Sequence, residues 1–222
     1  RKSAELSQQG IEMAGQSPAA ELARMTLSFV QYERNELERA ACSQQTAVQL
    51  NELRGMPEHF ASYHTLLART KIAQGDHSAM QAELRKVDDT LEHKPVRANV
   101  RAFSEMLRGL MALRMDDTKA AARFSERLSG YSNPFRFCDR HLPARLLIAL
   151  DKKAEAAVQL ENCYEQAITS RAGWLAIQIR TYQSLAAETS EAAVSFLSEA
   201  LKLGEPEGFI RTFVDEGRLL AP

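Results

Sequence analysis

The chain has 222 residues, with 28 Lys plus Arg against 29 Asp plus Glu and a net charge of −1. That length supports a substantial core without a metal or disulfide staple, and that balance lacks the cationic excess of a dedicated nucleic-acid or anionic-membrane binder. Apolar residues make up 45% of the chain but are interrupted throughout, so no run approaches the roughly 20 residues that cross a bilayer.

With 33 Ala and 26 Leu against 8 Val and 7 Ile, strong helix formers dominate and an all-α fold is expected. Residues 1–17, with Leu6, Ile11 and Met13 at helical spacing, read as the second helix of an incomplete leading unit. Punctuation then becomes regular. Pro18, Pro57, Pro95 and Pro134 stand 39, 38 and 39 residues apart, and Gly173 follows after another 39, which is the signature of a repeat. Proline fits the first turn of a helix, where its missing N–H has no intrahelical partner, so each is expected to open a helix and close the unit before it.

A second break falls inside each unit, at Arg34-Asn35, Gly75-Asp76, Asp116-Asp117, Asp151-Lys152 and Glu188-Thr189-Ser190. Each unit is therefore a helical hairpin. With Asn35, Gly75, Asp116, Lys152 and Glu188 as turn markers, the residues seven before are Ser28, Ala68, Gly109, Arg145 and Thr181. Those five after are Ala40, Met80, Ala121, Ala157 and Ala193. Small residues at this offset let two antiparallel helices approach closely, and Arg145 and Met80 are the exceptions. Seven further on, Ala47, Val87, Leu128, Tyr164 and Ala200 form an apolar stripe on the second helices. Residues 18–204 thus read as five hairpins of two helices, each helix roughly 15 to 18 residues long. The expected architecture is an all-α, TPR-like α-solenoid with a right-handed superhelix. The irregular stretch Gly130–Phe135 separates hairpins three and four, its Tyr131 and Phe135 either filling a gap or meeting a ligand.

Residues 205–222 read as a cap and the start of a linker. Pro206 and Gly208 end the last long helix, and Phe209, Ile210, Phe213 and Val214 offer an apolar face to the end of the stack. The stretch from Leu201 through Glu205-Pro206-Glu207-Gly208-Phe209-Ile210-Arg211 to Phe213-Val214-Asp215-Glu216-Gly217 resembles the end of the sensor region in MalT-type, ATP-dependent LuxR-family transcriptional activators. The preceding Glu191-Ala192-Ala193-Val194 helix supports it, and the small-residue pairs are similar to tetratricopeptide repeats. The resemblance implies an effector-sensing, signal-transducing region that takes a small-molecule inducer or a regulatory protein. It also implies self-association of the full-length protein, ATP only in a missing N-terminal domain, and DNA only through a missing C-terminal domain. No cofactor is expected in the fragment, which opens on Arg1 without an apolar leader and reads as an excerpt. No GxxxxGK[ST] motif is present to cradle phosphates.

Chemistry finds no foothold. Asp116-Asp117 and Glu205/Glu207 fall at turns. His59 and His64, five apart, do not share a helical face as an i, i+4 metal pair would, and satisfied or exposed histidines are the expectation. Cys42, Cys138 and Cys163 are widely separated without a CxxC pair, as in reduced cytoplasmic thiols. The chain is expected not to be an enzyme, and to contact no membrane.

The expected concave surface carries Met25, Phe29 and Tyr32; Thr65, Arg69 and Ile72; Met106, Leu110 and Leu113; Leu142, Leu146 and Ala149; and Gln178, Tyr182 and Leu185. Phe29, Tyr32, Arg69, Met106, Trp174, Gln178 and Tyr182 are the candidate ligand contacts. Arg69 supplies a guanidinium for a carboxylate or phosphate, or serves as an ordinary helix arginine. Trp174 supplies an aromatic wall, or packs against Phe137. The same surface also suits a general TPR-like protein- or peptide-binding scaffold.

Overall fold

The computed structural model describes residues 2–15, 17, 19–131 and 139–220. Pro18 and Pro134 as helix openers, most of the Gly130–Phe135 stretch, Phe137 and Cys138 lie outside the described residues. Those described form twelve α-helices and no strand: α1 (Lys2–Ala14), α2 (Ala20–Glu33), α3 (Leu37–Arg54), α4 (Pro57–Ala73), α5 (His77–His93), α6 (Ala98–Arg114), α7 (Thr118–Ser129), α8 (Leu142–Ala149), α9 (Lys153–Thr169), α10 (Gly173–Ala186), α11 (Ser190–Gly204) and α12 (Arg211–Val214). None is long and apolar enough to cross a membrane. The chain divides into two compact units, Arg1–Leu107 and Arg108–Pro222, the division falling within α6.

In the first unit α2 packs on α3 and α4 on α5, with α1 against α2 and α3 against α4. In the second, α7 packs on α8, α8 on α9, α9 on α10 and α10 on α11. The result is an all-α, TPR-like helical repeat built from the hairpins that the breaks in the sequence announce.

One turn recurs. Asn35, Gly75, Asp116 and Asp151 take left-handed φ values of 60°, 79°, 57° and 59°. In each case the next N–H donates to the carbonyl five residues back: Glu36 to Gln31 at 2.8 Å, Asp76 to Lys71 at 3.0 Å, Asp117 to Ala112 and Lys152 to Leu147 at 2.9 Å. This pairing satisfies carbonyls left over at a helix end. Arg171, at φ 54°, makes the same closure between α9 and α10. Asp76 and Asp117 then open the following helix, each Oδ1 accepting from the N–H three residues on, at 2.9 and 2.8 Å. Asp76→Ala and Asp117→Ala are each expected to cost about 1 kcal/mol in urea denaturation, whereas Lys152, which makes no side-chain cap, is expected to tolerate alanine within about 0.5 kcal/mol.

Counting from the left-handed residue gives Ser28 with Ala40, Ala68 with Met80, Gly109 with Ala121 and Ala144 with Ala156, every one buried. The fourth pair corrects the expected register. Lys152 as marker pairs Arg145 with Ala157, but Ala157 is exposed, while Ala144 and Ala156 are both 0% exposed. The left-handed basin is open to aspartate and costly for lysine, so Asp151 takes it and the helix begins one residue sooner than expected. Cys163 accordingly joins the buried stripe where Tyr164 was expected. The fifth turn has no left-handed residue; Thr189 caps α11 from its Oγ1, and Ala193 is half-buried opposite buried Thr181.

Pro57 and Gly173 are the first residues of α4 and α10. Pro95 does not open a helix: it lies three residues ahead of α6, and Lys94 before it is extended at φ −123°, ψ 149°, as the ring of a following proline demands. After α11, a 3₁₀ turn at Glu205–Glu207 and Gly208 lead into α12. The tail differs from a purely apolar cap: Ile210 and Val214 are 43% and 53% exposed, whereas Arg211 and Thr212 are buried. Phe213 reaches inward, its ring so close over Gly204 that a Cβ there would lie 3.2 Å away, and Phe209 is half-buried.

Candidate functional site

The first helices bring their side chains to one face at three before, one after and four after the small residue. In the first unit that face holds Met25, Phe29 and Tyr32 from α2, Thr65, Arg69 and Ile72 from α4, and Met106 from α6. Tyr32 and Arg69 meet: the guanidinium carbon lies 4.2 Å from the centre of the Tyr32 ring. Arg69 Nη2 is also 3.6 Å from Glu33, whose side chain is wholly buried. A buried carboxylate needs such a partner, so the cation of this face comes with its own counter-charge. Met106 is buried, Phe29 half-buried, and Thr65 Oγ lies 3.1 Å from Ser104 on α6.

Two further polar groups stand in this unit. Buried Glu21 on α2 accepts from the Tyr63 hydroxyl at 3.0 Å, pairs with His59 Nδ1 and lies 3.4 Å from Arg54. Burial first, then the Glu21 charge, pushes the Tyr63 phenol up. His64 on α4 pairs with Glu83 on α5. Burial works to raise the Glu83 carboxyl, but hydrogen bonds from His64 and Lys86 outweigh it and hold the group below its ordinary range. Both histidines are thus tied to carboxylates on other helices. A cavity of about 630 Å³ opens where the end of α3 and the start of α4 meet α5, floored by Met56, Pro57, Phe60 and Ala82 and edged by Glu52, Arg85, Lys86, Asp89 and Lys94. None of the seven candidate contacts lines it.

In the second unit the corrected register changes the membership of the face. His141, Arg145 and Ile148 take the positions expected of Leu142, Leu146 and Ala149; Leu146 is buried in packing against Gly109. His141 Nε2 is 2.9 Å from Gln178 Oε1, and the imidazole stacks on Tyr182 with centroids 5.8 Å apart. Burial depresses the imidazole to about 4 despite the Gln178 hydrogen bond. Gln178 and Tyr182, both candidate contacts, are therefore joined through a residue the sequence reading passed over. Trp174 is half-buried against the core that contains Ala144, Leu175 and Ile179.

The tail reaches this face. Arg145 Nε donates to Glu216, and Asp215 lies 3.3 Å from Arg114 and pairs with Arg211. Burial pushes the Glu216 carboxyl up against the pull of Arg145. The arrangement suits recognition of planar anions and hydrogen-bonding groups beside aromatic rings. Among the described residues no three His, Cys, Asp or Glu converge as metal ligands.

His141 and Arg145 escaped the sequence reading through the one-residue slip at Asp151. Glu21 and Glu33 escaped because an acid on an amphipathic helix ordinarily faces water. Spacing was a signal for Glu21 alone: it stands seven before Ser28 and so on the same side of α2, whereas Glu33, five after, does not, though it too is buried. Residues 1–222 match the family model described as the MalT-like TPR region. No curated protein matches the chain.

Proposed function

Because the chain belongs to the MalT-like TPR region family, we propose that it is the effector-sensing and signal-transducing region of a cytoplasmic MalT-like, LuxR-family transcriptional activator. It binds a small-molecule inducer or a regulatory protein on the first-helix faces, and binding controls self-association and transcription activation. In the full-length protein ATP belongs to an N-terminal domain and DNA to a C-terminal one. The observation that carries this reading is the family match over the whole chain; the polar groups set among apolar ones around Tyr32, Arg69, Gln178 and Tyr182 support it. An inducer acts only by binding the active arrangement more tightly, and about 1.4 kcal/mol of preference shifts the populations tenfold.

The test is thermal-shift titration of the chain against candidate metabolites, paired with ATP-dependent DNA binding by the full-length protein. At a hundredfold excess over Kd an inducer adds about 2.7 kcal/mol, which for a chain of this length raises Tm by about 5 to 10 °C. A full-length polypeptide without the ATPase and DNA-binding domains would overturn the assignment. A stable protein partner with no metabolite response would place the chain among the peptide-binding scaffolds instead.

A further inference from the structure

The cavity of the first unit has a firmly set floor and a wall whose charges are only partly matched. Its volume, about 630 Å³, is in the range that takes a small organic molecule. The floor begins at the connection between α3 and α4. Gly55, left-handed at φ 64°, closes α3 by donating to the Asn51 carbonyl at 2.8 Å, and the Nδ2 of buried Asn51 donates to the Met56 carbonyl at 3.1 Å. The Phe60 ring lies against the His64 imidazole, with centroids 4.1 Å apart. His64 in turn pairs with Glu83 on α5, which holds Lys86 at 3.2 Å. The buried His64 and Glu83 pair thus ties α4 to α5, and the apolar floor of Met56, Pro57, Phe60 and Ala82 stands preformed.

Charge sets what the wall can recognise. Arg85, Lys86 and Asp89 line the cavity from α5, Lys94 from just past its end, and Glu52 from α3. Three cations against two carboxylates leave the lining with one positive charge. Lys86 is already matched by Glu83, and Asp89 lies 3.3 Å from His93. Arg85 and Lys94 are within ion-pair distance of no carboxylate among the described residues. An apolar floor beside two unmatched cations suits a molecule with a hydrocarbon body and a single negative charge. A dianion meets Glu52 and Asp89 as well, and a neutral molecule gains nothing from the cations.

We propose that this cavity binds a small monocarboxylate with an aromatic or branched apolar body, the body resting on Met56, Pro57 and Phe60 and the carboxylate meeting Arg85 and Lys94. The site is separate from the first-helix faces, since none of Phe29, Tyr32, Arg69 and Met106 lines it, and it does not rest on the sensor reading.

Amide NMR shifts of the 222-residue chain test the site during titration with 1-naphthaleneacetate. Its neutral amide, 1-naphthaleneacetamide, matches it in shape, and acetate supplies the charge without the body. The acid is expected to move the amides of residues 51–60 and 82–94, with a Kd of about 1 mM or tighter for its size. The amide is expected to bind about fivefold more weakly, and acetate not to saturate. Arg85 and Lys94 are both exposed, so Arg85→Gln with Lys94→Gln leaves the fold intact and is expected to bring the acid down to the affinity of the amide. Arg39→Gln, outside the lining, is expected to leave the acid's affinity unchanged. The proposal is overturned if acid and amide bind equally, if the double variant binds the acid as the original does, or if the shifts fall on Tyr32 and Arg69 instead. It is overturned equally if the same amides move with rising protein concentration and no ligand, which would put a second copy of the chain in the cavity. The acid can bind here while every metabolite fails at the first-helix faces, and the reverse, so the two readings fail separately.

Discussion

Lowering the pH from 7 to 4 is expected to remove about 3 kcal/mol of folding stability through one side chain, His141. In the unfolded chain its imidazole takes up a proton near the ordinary value of 6.5, whereas burial holds it neutral in the fold until about 4. Between those values the unfolded state binds more protons, so stability rises with pH across the window and is lost as pH falls through it, at about 1.4 kcal/mol per pH unit. Above 6.5 the effect vanishes. Glu216, with its carboxyl raised by burial, works in the opposite sense: the folded chain holds the proton longer, and stability falls as pH rises through that range. His141→Gln retains a donor for Gln178 but does not titrate. Urea denaturation at several pH values is expected to show the His141 slope in the unaltered chain and its absence in the variant; parallel profiles would refute the buried neutral imidazole.

Ala144→Leu and Ala156→Leu are each expected to cost about 1 to 3 kcal/mol, because both positions are fully buried where α8 and α9 come closest and the core cannot take three more carbons without forcing side chains off their rotamers. Ala157→Leu, on the exposed side of α9, is expected to change stability by less than about 0.5 kcal/mol. The three variants differ by one position or one helix, so their order in urea denaturation reads the register directly. Equal effects at 156 and 157 would contradict the left-handed turn at Asp151.

The helical class and the hairpins were legible because they follow from local preferences: alanine and leucine favour helix, and the Asn, Gly and Asp residues at the turns tolerate the left-handed basin. Ser28 with Ala40 and Gly109 with Ala121 were legible for the same reason, since small residues are visible in the string. The fourth register was not, because Asp151 and Lys152 are adjacent and only the φ of one of them decides which face the next seventeen residues present. That slip carried the site with it, replacing His141 and Arg145 by Leu142 and Leu146. Arg69 and Tyr32 were legible as members of one helix face, but not their contact or the place of Glu33, whose burial goes with a partner from another helix. The tail was read as an apolar cap; it also carries ion pairs, Asp215 with Arg114 and Glu216 with Arg145, and such pairing between distant residues has no local trace. The cavity beside Met56 and Arg85 was invisible for a similar reason, being shaped by three helices whose lining residues share no spacing.

The two-residue turn has a consequence for how this chain can change length. Each residue advances a helix by about 100°, so deleting one residue at Asp151-Lys152 would swing Ala156, Leu160, Cys163 and Ala167 together out of the interior and carry polar side chains into their places. Insertions and deletions are therefore tolerable at the looser joints, such as the extended stretch around Pro95, and ruinous at the tight ones. The hairpin behaves as a gear with fixed teeth, and drift in length should accumulate only where the teeth do not mesh.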